Sequence, residues 1–190
     1  MEEGLVEKIR FDKSGSFEGL VKLHQNQVLN TCFRFVNNRD DAEDLAQDVF
    51  MEVYNSIDSF RGEAKLSSWI YRIAVNKSLD FVRKKKRKKR FAFVLSLAGF
   101  GDEEKELQIH APANPHTDLE QMERTQILNK AIDSLPENQK VAITLSKYEG
   151  FSNKEIAEIM GTSISAVDSL IHRAKNNLQK KLYKYFENHL

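Results

Sequence analysis

The chain has 190 residues, 41% of them apolar and 30% charged, which suits one or two compact soluble units. Three prolines and eight glycines are few, which favours helices over a turn-rich β fold, and a single cysteine, Cys32, excludes an internal disulfide and any cysteine-based metal site. The net charge of +1 hides a segregation: +4 over residues 1–90, −6 over 91–123 and +3 over 124–190. Two basic segments around an acidic one point to nucleic-acid contact at both ends.

The histidines, His24, His110, His116, His172 and His189, show no metal-ligand spacing, so neither a metal nor a cofactor is expected. Glu2, Glu3, Glu7 and Lys8 interrupt any apolar start, and no run approaches the ~20 apolar residues of a membrane helix. The expectation is a cytoplasmic protein with no membrane insertion.

In chain order, a first helix is expected after Ser14-Gly15-Ser16. Phe17, Leu20, Val21, Val28, Cys32, Phe35 and Val36 recur there at helical spacing. A second helix starts near Asp40, with Asp40 and Glu43 as a capping box and Leu45, Val49 and Val53 as its core face. Its early acids suit the positive end of the helix dipole. A loop over 58–65 contains Gly62. A third helix runs from about Leu66 to Arg87, with Leu66, Ile70, Ile73, Ala74 and Phe81 buried and Trp69 beside them.

Residues 91–117 break the pattern. Phe91 to Phe100 is apolar without clear period, Gly101 to Glu106 is acidic, and Pro112 and Pro115 lie in a polar stretch. A flexible acidic linker is expected over 91–117. Helices resume over 118–190. Ser134 and Glu137 make a capping box around Leu135-Pro136, Gly150 ends that helix at the position after its cap, and Ser152 and Glu155 cap the next.

From Ser152 to Ala174 the chain reads as a helix-turn-helix. Ile156, Ala157 and Met160 form the buried face of a short helix, and Gly161 sits where the chain reverses. Val167, Leu170, Ile171 and Ala174 put an apolar stripe on a second helix, which could then enter a DNA major groove. An ordinary helical hairpin is the competing reading.

Two further faces carry chemistry. On the third helix Arg72, Asn76, Asp80, Arg83 and Arg87 are three or four residues apart and share one side. The eight consecutive basic residues from Arg83 to Arg90 would bind phosphates with steep salt dependence, a solvated basic tail being the competing reading. Phe60, Trp69 and Tyr71 lie close by, and bases of unpaired DNA stack on such rings for ~1–3 kcal/mol each, although Trp69 taken alone reads rather as a core residue. The second helix has an acidic, polar face of Asp44, Gln47, Asp48, Met51, Glu52 and Asn55. It is either a solvated face or the seat of a basic protein partner, with Met51 as apolar anchor.

These segments resemble bacterial RNA polymerase sigma factors. Asp41-Ala42-Glu43-Asp44-Leu45-Ala46-Gln47-Asp48-Val49-Phe50 is similar to the family's polymerase-binding helix. Phe60-Arg61-Gly62, Ser67 to Ala74, and then Asn76, Asp80 and Arg83 resemble the segment that melts and reads the −10 promoter element. Leu135-Pro136 and the helix-turn-helix through His172-Arg173-Ala174 resemble the domain that binds the −35 element. The short two-domain form resembles the extracytoplasmic-function (ECF) subgroup.

The resemblance implies an all-α protein of two small helical domains, 14–90 and 118–190, joined by the linker and acting in transcription initiation without catalysis of its own. Asp44, Gln47, Asp48, Met51, Glu52 and Asn55 would bind core RNA polymerase. Phe60, Arg61, Lys65, Trp69, Tyr71, Arg72, Asn76, Asp80, Arg83, Lys84 and Arg87 would hold the −10 element. Ser163, Ser165, Ala166, Asp168, Ser169, His172, Arg173 and Lys175 would meet the −35 element of promoter DNA. An anti-sigma factor is an expected partner.

Members often carry a basic residue at the positions of Asp168 and Leu170. Asp168 can accept a hydrogen bond from cytosine N4 but repels phosphate, so weak duplex binding by 118–190 alone is expected. A stand-alone helix-turn-helix regulator is the alternative, but it has no use for the acidic and aromatic-basic helices of the first half. No carboxylate cluster, glycine-rich phosphate loop or nucleophile–base pair points to an enzyme.

Overall fold

A computed structural model of the chain describes residues 7–9, 13–62, 64–97 and 118–187. Among them every regular element is helical, and the chain divides into two compact units, 1–110 and 111–190. The all-α expectation is met. Of the stretch expected as a linker, 98–117 lies outside the described residues.

Among the described residues of the first unit, three long helices pack together, α1 (Lys13–Val36), α2 (Arg39–Ser56) and α3 (Leu66–Leu97), with Ile9 of the helical residues 7–9 in their core. Leu20, Val28 and Cys32 of α1 meet Leu45, Val49 and Val53 of α2 and Leu66, Ile70 and Ala74 of α3 in one buried cluster. Phe17, Val21, Val36, Trp69, Ile73 and Phe81 are partly buried around it. These are the residues whose helical spacing defined the apolar faces, so burial of the stripe is what fixes the bundle. The turn between α1 and α2 uses Asn37 at φ +53, a conformation asparagine tolerates better than most residues.

Asn38, not Asp40, caps α2. Its side chain accepts the Asp41 N–H at 2.8 Å. Asp40 lies inside the first turn, and Glu43 pairs with Arg39 at 2.8 Å rather than closing a capping box. A 3-10 turn (Ile57–Ser59) leads into the loop. The third helix continues ten residues past its expected end at Arg87, so the apolar run begins as helix rather than as linker.

The second unit holds α4 (Asp118–Asp133), α5 (Glu137–Lys147), α6 (Asn153–Met160) and α7 (Ile164–Glu187). Helix α5 is buried on most sides, with Val141, Ala142, Ile143, Thr144 and Leu145 all in the core. Two of its three buried polar residues, Lys140 and Gln139, are matched, whereas the buried Thr144 hydroxyl has no hydrogen-bond partner among the described residues. Lys140 Nζ lies 2.7 Å from Asp133 Oδ1 of α4, and Gln139 Oε1 accepts from Asn177 Nδ2 of α7 at 2.8 Å.

The capping box expected at Ser134 and Glu137 does not form. Ser134 Oγ instead donates to the Ala131 carbonyl at 2.6 Å and closes the end of α4. Pro136 takes the cap position of α5 at φ −52° and ψ 142°, with no side-chain bond. Its carbonyl accepts from both Gln139 and Lys140 at 2.9 Å. Gly150 adopts the left-handed conformation at φ +71, one residue later than expected relative to the cap at Tyr148.

Candidate nucleic-acid and polymerase interfaces

The helix-turn-helix is built as its sequence implies. Ser152 Oγ accepts the Glu155 N–H and Glu155 Oε2 accepts the Ser152 N–H at 3.0 Å, a complete capping box. Helix α6 ends in Gly161 at φ +63. There the Gly161 and Thr162 N–H groups bond to the Glu158 and Ala157 carbonyls at 3.4 and 3.0 Å, the paired bonds of a glycine-terminated helix. Ile156, Ala157 and Ile159 are buried on α6, and Val167, Ile171 and Ala174 on α7. Ile159 takes the core position expected of Met160, which is only half-buried, as is Leu170.

Of the residues expected to meet the −35 element, Ser163, Ser165, Asp168, Ser169, His172, Arg173 and Lys175 are exposed, and Ala166 is half-buried. Several are engaged within the motif. Ser163 caps α7, its Oγ accepting the Ala166 N–H at 3.2 Å and lying 3.1 Å from Ser165 Oγ. Asn153, at the start of α6, donates from Nδ2 to Asp168 Oδ1 at 2.5 Å. Asp168 thereby joins the two helices of the motif, a link that sequence spacing did not announce. Arg173 Nε lies against the Ser169 carbonyl at 3.3 Å, and His172 Nε2 is 3.0 Å from Asn176 Nδ2.

In the first unit, α2 and α3 present two faces of opposite charge. On α2, Asp44, Gln47, Asp48, Met51, Glu52 and Asn55 are all exposed, and Met51 stands 64% open to solvent among the carboxylates. On α3, Arg72, Asn76, Asp80, Arg83, Lys84 and Arg87 are exposed, with Lys65 and Arg61 exposed in the preceding loop. Arg83 Nη1 holds Asp80 Oδ1 at 2.9 Å. Two ion pairs join the helices at the border between the faces: Lys77 to Glu52 at 3.7 Å and Lys85 to Asp41 at 2.8 Å. Lys77 was not singled out from the sequence, and Asp41 entered only as the first residue of the α2 motif.

Two aromatic expectations require correction. Tyr71 is 1% exposed, and its hydroxyl donates to Gln27 Oε1 of α1 at 2.9 Å. Phe60 is 8% exposed and packs on Trp69, with ring centroids 5.3 Å apart at 49°. Both are core residues with no open ring face for a base. Trp69 is the one member of the trio that remains part-exposed.

This is the layout of a two-part DNA-binding transcription protein: one unit with an acidic helix beside a basic one, the other with a helix-turn-helix. Residues 20–88 match the family described as Sigma-70 region 2, and residues 125–178 match Sigma-70, region 4. The chain is 33% identical over 183 residues to the ECF RNA polymerase sigma-E factor of Haemophilus influenzae, covering 95% of each. It is 32% identical over 182 residues to that of Escherichia coli K12, covering 94% of this chain and 92% of the relative. Among solved structures, the sigma factor RpoE bound to the anti-sigma factor NepR, from Bartonella quintana, superposes with a TM-score of 0.63. It is 28% identical and covers 88% of this chain and 96% of that one. CnrH, in complex with the cytosolic domain of CnrY, shares the fold at a TM-score of 0.70 and 21% identity, covering 96% and 97% of the two chains.

The chain belongs to the sigma-70 family of RNA polymerase sigma factors, within its ECF subgroup. Its function is to direct promoter-specific transcription initiation.

Proposed function

We propose that the exposed faces divide that function among them. The α2 face of Asp44, Gln47, Asp48, Met51, Glu52 and Asn55 seats core RNA polymerase. Carboxylates would meet a basic surface, and Met51 would supply an adaptable apolar anchor. The loop residues Arg61 and Lys65 and the α3 face of Trp69, Arg72, Asn76, Asp80, Arg83, Lys84 and Arg87 hold the melted −10 strand. Unstacking a base costs a few kcal/mol, and capture of that base on the protein offsets the cost. The second unit, 118–190, fixes the complex on the −35 duplex through α7, with Ser165, Ser169, His172, Arg173 and Lys175 nearest the DNA. Ser163 and Asp168, engaged in the motif's own bonds, act there by orienting α7.

The protein acts in the cytoplasm, has no catalytic activity of its own, and is held inactive by an anti-sigma factor that covers the α2 and α3 faces. Residues 14–90 and 118–190 act as separate modules on a connecting segment.

The observation that carries this reading is the pairing of an open acidic face and an open basic face on adjacent helices, in a chain that also has a DNA-binding motif. A stand-alone regulator needs only the last. The test is a titration of the purified chain against bacterial core polymerase. A stoichiometric complex, weakened by charge reversal on α2, is the expected result, and no complex would leave a simple regulator as the better account.

A further inference from the structure

Asp168 stands in the middle of the exposed face of α7. Ser165, Asp168, Ser169 and His172 lie at i, i+3, i+4 and i+7, so they share one side of the helix, and all four are exposed. Arg173 and Lys175, also exposed, are the cations of the same stretch. A carboxylate in that company lowers affinity for every duplex, because phosphates repel it. Its charge is not cancelled within the motif. No cation pairs with Asp168 among the described residues. His172, one turn further along, is turned to Asn176, with Nε2 3.0 Å from Asn176 Nδ2. Ser165, one turn back, lies against Ser163, with the two Oγ atoms 3.1 Å apart.

The one bond Asp168 makes is to a neutral group: Asn153 Nδ2 of α6 donates to Oδ1 at 2.5 Å. An amide fixes the direction of the carboxylate and leaves its charge intact. A carboxylate has about four acceptor sites on its two oxygens, and this bond uses one of them. Oδ2 makes no hydrogen bond among the described residues. It is a charged acceptor held in place on a groove-facing surface.

Few groups on a major-groove floor meet such an acceptor favourably. Guanine shows N7 and O6 there, and thymine shows O4 and a methyl group, none of them a donor. The exocyclic amino groups of cytosine and adenine are the donors. These two bases differ beside the amino group. Adenine carries the N7 acceptor next to N6, and its lone pair opposes an incoming carboxylate. Cytosine has only a C–H next to N4. The order of preference is therefore cytosine, then adenine, then thymine and guanine.

We propose that Asp168 is a specificity-determining residue for the upstream element: tethered by Asn153, its free oxygen accepts from N4 of a cytosine at one position and rejects guanine and thymine there. This rests on the reading of α7 as the helix that enters the −35 duplex. It adds to the orienting role of the Asn153 bond, which uses the other oxygen. The repulsion from phosphates sharpens the choice, since a site without the amino group bears that cost with nothing to offset it.

The test is selection of promoters by the holoenzyme from a library randomised over the −35 element, with a fixed −10 element, for wild type, Asp168→Asn and Asn153→Ala. Wild type should require a C·G pair at one position in one orientation. Reversal to G·C should lower affinity about fivefold or more. Asp168→Asn keeps an acceptor for Asn153 and removes the charge. Asparagine pairs bidentately with adenine N6 and N7, so at that position alone the selected base should change from cytosine to adenine on the same strand. Affinity for duplexes lacking the element should rise as the repulsive charge is lost. Asn153→Ala keeps the carboxylate but frees its direction, so the cytosine preference should weaken there and hold at the other positions. A selected pattern that Asp168→Asn leaves unchanged at every position overturns the proposal. So does a loss of preference spread evenly over the element, the mark of a structural role alone. Wild-type holoenzyme that selects no upstream pattern at all overturns the parent reading of α7, and the proposal with it.

Discussion

Met51 is an apolar side chain standing in the open among Asp44, Gln47, Asp48, Glu52 and Asn55, and this stripe can be tested without disturbing the fold. Asp48→Lys with Glu52→Lys should weaken core-polymerase binding at least about tenfold while leaving the unfolding midpoint nearly unchanged. Among the described residues the only tie lost is the part-exposed Glu52–Lys77 pair at 3.7 Å, worth about 0–1 kcal/mol. Calorimetry and a core-binding titration separate the two effects. Cys32 belongs to the opposite environment. It is fully buried, and burial pushes its thiol up to about 11, with a small opposing contribution from Ser78. Because the folded pKa lies above the ordinary value of 9.0, the thiol favours folding below pH ~9. That contribution is lost as pH rises through about 11. At pH 8 a thiol reagent should therefore modify Cys32 only at the rate of unfolding, and fast modification of folded protein would contradict its burial.

The aromatics show where residue-level reading stopped. Ile70, Tyr71, Ala74 and Val75 are all buried on α3, because this helix packs against both α1 and α2 and buries a wide arc. A tyrosine on such an arc has the same sequence signature as one poised for a base. Only the partner helix, with Gln27 receiving the hydroxyl, distinguishes them. The exposed stripes were legible because three- and four-residue spacing fixes a face regardless of what packs elsewhere.

At the scale of elements, helix existence and apolar faces were legible, and the caps less so. Ser152-x-x-Glu155 forms the box its pattern announces. Ser134-x-x-Glu137 carries the same pattern but fails, because Pro136 at the cap lets its own carbonyl start α5 and frees Ser134 to close α4. Asn38 was passed over because three of the next four positions after Arg39 are acidic and drew the cap inward. The end of α3 was placed too early because a run of cations and then of apolar residues has no helical period, yet each residue type is compatible with a helix. Within the helix-turn-helix, Ala157 is buried on the short helix α6. Ala157→Leu should overpack that site and cost roughly 1–3 kcal/mol in denaturant unfolding of the second unit. Ser152→Ala, which removes the box, should cost about 1 kcal/mol. Both should lower use of promoters that depend on a −35 element more than core binding, since α2 is untouched.

At the scale of the whole molecule, the sequence segregates charge by segment and the structure turns this into separate open faces: acidic on α2, basic on α3, polar and basic on α7. A net charge of +1 would not foretell a DNA-binding protein, but a chain that must engage both a protein surface and promoter DNA needs both signs. The most direct test of this account is transcription in vitro from fragmented host DNA, using core polymerase with and without the purified chain. The account predicts new transcripts that begin downstream of a shared two-part sequence pattern and are lost with the Asp48→Lys, Glu52→Lys variant. No new start sites, from a chain that folds but does not join core polymerase, would contradict it.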